Sequence, residues 1–196
     1  MSAAHAQAGP GAHARIGPNA VIRLAEALRE QEGEAATVAV FERAGLAAYL
    51  LTPPSAMVRE TDVAALHRAL QRELGARQAQ RVARLAGGKT GDYLLAHRIP
   101  RAVQRVLLAA IGRNAWMFCG SGRFRAAAGF PVRVTIAGNP LCGGTDGEAT
   151  ACDFYAGTFE RLFRALVHDG AVARETHCES RGDAACVFEI RWPGRA

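Results

Sequence analysis

Apolar residues recur at helical spacing through the first half of the chain. Val21, Leu24, Ala25 and Leu28 fall on one face of a helix that Gly17-Pro18-Asn19 would open. The polar run 30–34 interrupts it around Gly33. A second helix is predicted over about 36–51, ended by Pro53-Pro54 because a proline ring cannot continue the hydrogen-bond ladder. From Thr61, Val63, Leu66, Leu70 and Leu74 make the next stripe. His67 lies on or beside it, where a packed, hydrogen-bonded imidazole is expected in preference to a ligand. After Gly75 a helix through Val82 and Leu85 runs to Gly87-Gly88, which read as a turn or helix break. Tyr93, Leu94 and Leu95 then lead into His97-Arg98-Ile99-Pro100, and Val103, Val106, Leu107, Ala110 and Ile111 form a strong helical stripe.

Past residue 113 the period changes. Trp116-Met117-Phe118-Cys119 and Val132-Arg133-Val134-Thr135-Ile136 read as β-segments around turn glycines, and 139–144 read as a loop. A helix follows from Cys152 to Val167, with Tyr155, Phe159, Leu162, Phe163 and Leu166 on a wide apolar face. The segments 172–178 and 186–192 are rich in Val, Phe, Ile and Trp and flank a polar turn holding Arg181-Gly182-Asp183, the pattern of a hairpin. Several helices on an antiparallel sheet make this an α+β fold. The chain of 196 residues, 49% hydrophobic, suffices for one core, so one domain is expected over 16–196. Residues 1–15, mostly Ala, Gly, His and Gln without apolar periodicity, are expected to form a disordered tail.

Charge narrows the partners. The formal net charge is +6, and Lys89 is the sole lysine, so the cationic side chains are almost all arginine. Arginine presents a fixed fork to carboxylates and phosphates, which suits an anionic ligand, an acidic protein or an anionic membrane surface. Nucleic acid is not expected, because the arginines are scattered among acids, as in Arg59-Glu60 and Arg72-Glu73. The apolar runs are too short for a transmembrane span. The first residues lack the charged start and apolar stretch of a signal peptide, so a cytoplasmic protein is expected.

Two glycine motifs fail as nucleotide sites. Gly88-Lys89-Thr90 would need a glycine where Ala83 stands, and Gly120-Ser121-Gly122 would need a small residue where Arg125 stands. Three of the five cysteines offer more. Cys152, Glu175, Cys178 and Cys186 follow C-x22-E-x2-C-x7-C; the hairpin brings Cys178 and Cys186 to one end, and Cys152 sits at a helix N-terminus, which favours a thiolate. Three thiolates and a carboxylate make a closed tetrahedral set for zinc. A cross-hairpin disulfide, or three buried thiols, fit the same spacing. Cys119 and Cys142 read as structural. Arg98, Arg101 and Arg105 stand where they could hold the carboxylates of a flat apolar ligand, with His97 on a metal at its centre; an amphipathic helix with a solvated arginine face is favoured on the pattern alone.

The ending Glu175-x2-Cys178-x3-Gly182-Asp183-x2-Cys186-x-Phe188-Glu189-Ile190, with Cys152 upstream, resembles the vinyl-4-reductase domain family. Arg15-Ile16-Gly17-Pro18-Asn19, Asp92-Tyr93-Leu94-Leu95-Ala96-His97-Arg98-Ile99-Pro100, Gly120-Ser121-Gly122 and Asn139-Pro140-Leu141-Cys142 resemble the BchJ family of bacteriochlorophyll biosynthesis. The resemblance implies a ligand-binding domain related to those of phenol-sensing activators and a Golgi transport component. It also implies a structural zinc on Cys152, Glu175, Cys178 and Cys186. The family name implies reduction of a vinyl group on a chlorophyll precursor, yet the chain shows no dinucleotide fingerprint and no cysteine set left for an iron–sulfur cluster. The first expectation is therefore a non-catalytic carrier of magnesium-porphyrin or protochlorophyllide intermediates. Its implied partners are the magnesium chelatase large subunit and other pathway enzymes, in the cytoplasm or at the edge of the photosynthetic membrane. The second is the divinyl-protochlorophyllide vinyl reductase itself, and the third, weaker, a small-molecule sensor. A homodimer is left open.

Overall fold

The computed structural model describes residues 14–97, 109, 111–113, 115, 119–142 and 151–194. Strand β1 (Arg15–Ile16) opens the described chain and pairs antiparallel with β2 (Val58–Arg59), so Arg15, predicted as the end of the tail, is already part of the fold; 1–13 lie outside the described residues. Helix α1 (Asn19–Arg43) buries Val21, Leu24 and Leu28, then Val40 and Phe41. The predicted break at Gly33 is a kink within it: Gly33 takes φ 83°, and Thr37 Oγ1 donates to its carbonyl at 2.8 Å. The short α2 (Ala48–Leu51) ends before Pro53-Pro54, as predicted.

Helix α3 (Glu60–Leu74) carries the predicted stripe inward, and Gly75, at φ 74°, ends it. Glu60 reaches across to Ser121, accepting hydrogen bonds from its backbone N–H and from its Oγ, the latter at 2.7 Å. Gly120, at φ 53°, lets that carboxylate approach, since a side chain there would overlap it. The Gly120-Ser121-Gly122 run thus receives a buried carboxylate. His67 is packed as expected but not hydrogen-bonded: it is 1% exposed, lies edge-on to Phe154, and neither ring nitrogen has a partner.

Helix α4 (Ala76–His97) passes straight through Gly87-Gly88, against the predicted break. The glycines are there for packing. Helix α5 (Ala151–Leu166) crosses α4 at this point, and the backbones touch: Gly87 faces the Phe154 carbonyl, Gly157 faces the Arg84 carbonyl, and Thr158 Oγ1 donates to Gly87 O at 3.1 Å. Arg84 extends the joint to the sheet, donating to Glu160 at 2.6 Å and to the Ala173 carbonyl at 2.9 Å.

The sheet runs β3 (Arg123–Ala127), β4 (Val132–Ala137), β6 (Cys186–Arg191), β5 (Val172–His177), all antiparallel. β4, β5 and β6 follow the predicted segments, whereas β3 was not predicted. Cys119 closes a helical turn through its N–H to Ala115 O at 2.7 Å instead of ending a strand; 116–118 lie outside the described residues. Val132, Val134, Ile136, Phe188 and Ile190 point to the core, where Phe159 meets Phe188 edge-on at 5.5 Å between ring centres. The other face turns Arg133, Arg174 and Arg191 outward around Glu189, whose carboxylate the hydrogen bonds from Arg191 and Arg133 hold below its usual range.

Candidate metal centre

Four chain segments converge beyond the ends of β4 and β6. Where β4 finishes, Gly138 turns at φ 68° and the carboxylate of Glu179 accepts the Gly138 and Asn139 N–H groups at 2.6 and 2.7 Å. Asn139 then folds the next residues around itself: its Oδ1 accepts from Leu141 N at 3.0 Å and its carbonyl from Cys142 N at 3.1 Å. The result is a tight knuckle with Cys142 at its tip. Cys152 lies in the first turn of α5. Cys178 follows β5; its N–H donates to Asp183 Oδ2 at 2.7 Å, and its carbonyl accepts from Arg181 and Asp183 N–H groups across the Gly182 turn. Cys186 opens β6, paired with Ile136 of β4.

All four sulfurs are buried and mutually within 4.8 Å. Cys142 Sγ lies 3.3 Å from Cys152 Sγ and 3.5 Å from Cys186 Sγ, and Cys152 Sγ lies 3.5 Å from Cys178 Sγ and 3.6 Å from Cys186 Sγ. Four thiolates about 2.3 Å from a tetrahedral ion stand about 3.8 Å apart, so this cluster needs only a small expansion to enclose one. The expected alternative of a Cys178–Cys186 disulfide is not realised, for the cysteines are free.

Polar groups around the sulfurs suit thiolates. Asn139 Nδ2 donates to Cys186 Sγ at 3.3 Å and points toward Cys152 Sγ at 3.8 Å, and Ser180 Oγ lies 3.0 Å from Cys178 Sγ. Cys178 is pulled below the ordinary thiol range, first by its hydrogen bond with Cys152 and then by that with Ser180. Hydrogen bonds from Cys142 and Cys152 pull Cys186 down in the same way. The donors of those bonds move oppositely: Cys152 is pushed up by its contacts with Cys142, Cys178 and Cys186 and by burial. Cys142 also ends high; its bond with Cys152 lowers it, but the bond with Cys186 and burial outweigh that. Without a cation the cluster thus shares protons, because four buried negative sulfurs repel one another. A divalent ion removes that obstacle, and the cluster could bind a metal.

Three of the four predicted ligands, Cys152, Cys178 and Cys186, are brought together. Glu175, the fourth, stands on β5 beside the cluster. Its Oε2 is 3.8 Å from Arg181 Nη1, while its Oε1 is buried without a hydrogen-bond partner, and burial raises its carboxyl to about 9. Cys142, read as structural from its apolar and glycine neighbours, joins the cluster instead. The available signal was the turn-forming Asn139-Pro140 just after a strand, with Cys142 ten residues before Cys152, which is the setting of a ligand knuckle. His97 ends α4, and Arg98, Arg101 and Arg105 lie outside the described residues.

A helical bundle joined through α5 to an antiparallel sheet, with cysteines gathered at one end, defines a domain of the vinyl-4-reductase type, and the model of that domain matches residues 132–192. The match covers every donor just described. The chain belongs to the BchJ family, that of the bacteriochlorophyll synthase 23 kDa chain. It is 42% identical over 155 residues to that chain from Cereibacter sphaeroides (73% of this chain, 75% of that one) and 37% identical over 155 residues to that from Rhodobacter capsulatus (73% and 72%). The fold is also that of H-NOX domains: a structure from a study of heme distortion in the H-NOX family superposes with a TM-score of 0.62, covering 92% of this chain and 97% of that one at 12% identity.

Proposed function

We propose that this protein is an accessory protein of bacteriochlorophyll synthesis that binds a magnesium tetrapyrrole intermediate, of the magnesium-porphyrin or protochlorophyllide kind, and delivers it to the enzymes of the pathway. The observation that carries the reading is the 42% identity to a relative named for bacteriochlorophyll synthesis. The fold, shared with H-NOX proteins studied for heme distortion, supports a flat tetrapyrrole as the cargo. Such pigments are apolar on both faces and carry carboxylates at an edge, so a carrier must cover the faces and hold the edge. His97 is the candidate ligand for the magnesium, and Arg98, Arg101 and Arg105 for the carboxylates.

The cysteine cluster supports a structural zinc in this reading. Its donors come from the loop after β4, the start of α5, the end of β5 and the start of β6, so one ion would pin the final hairpin to the helix that crosses α4. No step of catalysis is assigned to it, because a four-donor site leaves no open position for a substrate. Partners within the pathway, the magnesium chelatase large subunit first among them, would meet a protein whose sheet turns arginines outward. Among the described residues no helix is long and apolar enough to cross a membrane, and cytoplasmic carriage with contact at the photosynthetic membrane surface fits that.

The match to the vinyl-4-reductase domain favours one other reading, vinyl reduction by the protein itself. Anaerobic titration with a divinyl magnesium tetrapyrrole, with and without reduced nicotinamide cofactor, separates the two. A saturable red shift indifferent to cofactor is expected for the carrier. Conversion to the monovinyl pigment with cofactor consumed would establish the reductase, and no spectral change would remove both.

A further inference from the structure

We propose that the metal in this centre is held by four thiolates, with Cys142 as the fourth donor, and that Glu175 stands by as its replacement; this rests on the reading that the cluster holds zinc. The centre offers five donors for four positions. Cys142 has the better geometry: its sulfur already sits 3.3 and 3.5 Å from two of the other three, inside the set whose members are all within 4.8 Å, and Glu175 is outside that set.

The knuckle carrying Cys142 is built without a metal. Glu179 fastens its base through two backbone N–H groups, and Asn139 fastens its tip while donating to the sulfur of Cys186. A side chain that shapes a ligand loop and also donates to a neighbouring ligand is the supporting shell that metal–thiolate sites require. The Asn139 amide would have little reason to face sulfur if this loop merely packed. Glu175 contributes the complementary observation. Its buried Oε1 has no partner, an arrangement that costs about 1–3 kcal/mol unless something uses the oxygen, and Cys152 and Cys178 border the carboxyl. A carboxyl kept beside a complete thiolate set is placed to enter the coordination sphere if one thiolate leaves. Both arrangements give the same total ligand charge, four negative charges against a divalent ion, so the exchange leaves the buried charge unchanged.

Sulfur and oxygen or nitrogen neighbours of zinc are separable by X-ray absorption on the wild-type protein, and cobalt(II) replacing zinc gives thiolate-to-metal absorption that grows with the number of sulfurs. Four sulfurs are expected in the wild type and in Glu175→Gln. Cys142→Ser is expected to keep one metal per chain while its thiolate-to-cobalt band falls to about three quarters, and Cys142→Ser/Glu175→Gln to lose the metal. A wild-type spectrum of three sulfurs and one light atom would overturn the assignment of Cys142, as would an unchanged band in Cys142→Ser. Loss of metal from Cys142→Ser alone would overturn the replacement role of Glu175. Wild-type protein that takes up neither zinc nor cobalt would instead sink the underlying metal reading.

Discussion

Gly87 of α4 and Phe154 of α5 meet backbone to backbone, so close that a Cβ on Gly87 would overlap the Phe154 carbonyl. The adjoining Gly157 does the same toward the Arg84 carbonyl. Two helices can approach this far only where neither presents a side chain, and the contact sets where the first turn of α5, and therefore Cys152, stands.

The paired glycines in α4 make a sharp test. Gly87→Ala is expected to destabilise by roughly 2–3 kcal/mol, because the obstructing atoms are backbone and cannot swing aside. At Gly88 nothing lies within 4 Å of the same added atom, and Gly88→Ala should stabilise by about 0.5–1 kcal/mol through helix propensity alone. Urea denaturation of both variants measures the contrast. Equal effects would mean that these residues do not sit in a close helix crossing.

A second expectation concerns pH. His67 is fully buried with no partner for either nitrogen, and burial lowers its pKa to about 4. The unfolded chain takes up a proton near pH 6.5 whereas the folded one does so only near 4, so the unfolded state binds more protons in between. Stability should fall as pH drops through that window, by about 1.4 kcal/mol per unit and roughly 3 kcal/mol in all, then level off. His67→Leu keeps the volume and removes the titration. The stability difference between variant and wild type should therefore grow in the variant's favour from pH 6.5 to 4, and a difference independent of pH would show that His67 is solvated or hydrogen-bonded.

The cysteines divide into two groups that mutagenesis can separate. Cys119 is buried away from the cluster, its thiol pushed up by burial and by the nearby Glu60, and Cys119→Ala is expected to retain metal at a cost of about 1 kcal/mol. Cys178→Ser removes a donor shared by both four-donor arrangements. Since the binding energy of a structural zinc is on the order of 10–16 kcal/mol and is largely folding energy, this variant should lose the ion and unfold at markedly lower temperature. Metal analysis with thermal denaturation checks both, and a fully folded, zinc-loaded Cys178→Ser would remove Cys178 from the ligand set.

Much of this architecture was legible from periodicity. The stripes Val21–Leu28 and Val63–Leu74 and the aromatic face of α5 each needed one partner surface, and the structure supplies it. The hairpin β5–β6 followed from alternation around Gly182-Asp183. What misled were residues whose role depends on a distant segment. Gly87-Gly88 looks like a break because glycine is a poor helix former, and only the arrival of α5 explains its place. β3, with its Arg-Phe-Arg-Ala-Ala sequence, has one partly buried face and lacks the apolar alternation of β4. At the centre, Cys152, Cys178 and Cys186 were legible because a helix start and a hairpin are local features. Cys142 was not, since the turn that delivers it is held by Glu179, 37 residues further on and in another loop.

That long-range support leads to the last prediction. Glu179 accepts the Gly138 and Asn139 N–H groups at 2.6 and 2.7 Å, and its own backbone opens the turn after Cys178, so it couples the Cys142 knuckle to the Cys178 loop. Glu179→Ala touches no donor atom, yet it leaves two N–H groups without their acceptor and frees the knuckle. Hydrogen bonds to a charged group contribute about 1.5–3 kcal/mol, and removing a supporting partner of a metal site typically weakens binding by about 10–100-fold. The variant should fold and bind zinc, with affinity reduced by about that factor in a competition titration against a chelator. Glu179→Gln, which keeps one carbonyl oxygen, should fall between variant and wild type. Wild-type affinity in Glu179→Ala would show that the knuckle holds its shape unaided, and its preorganisation would then have to be credited to Asn139 alone.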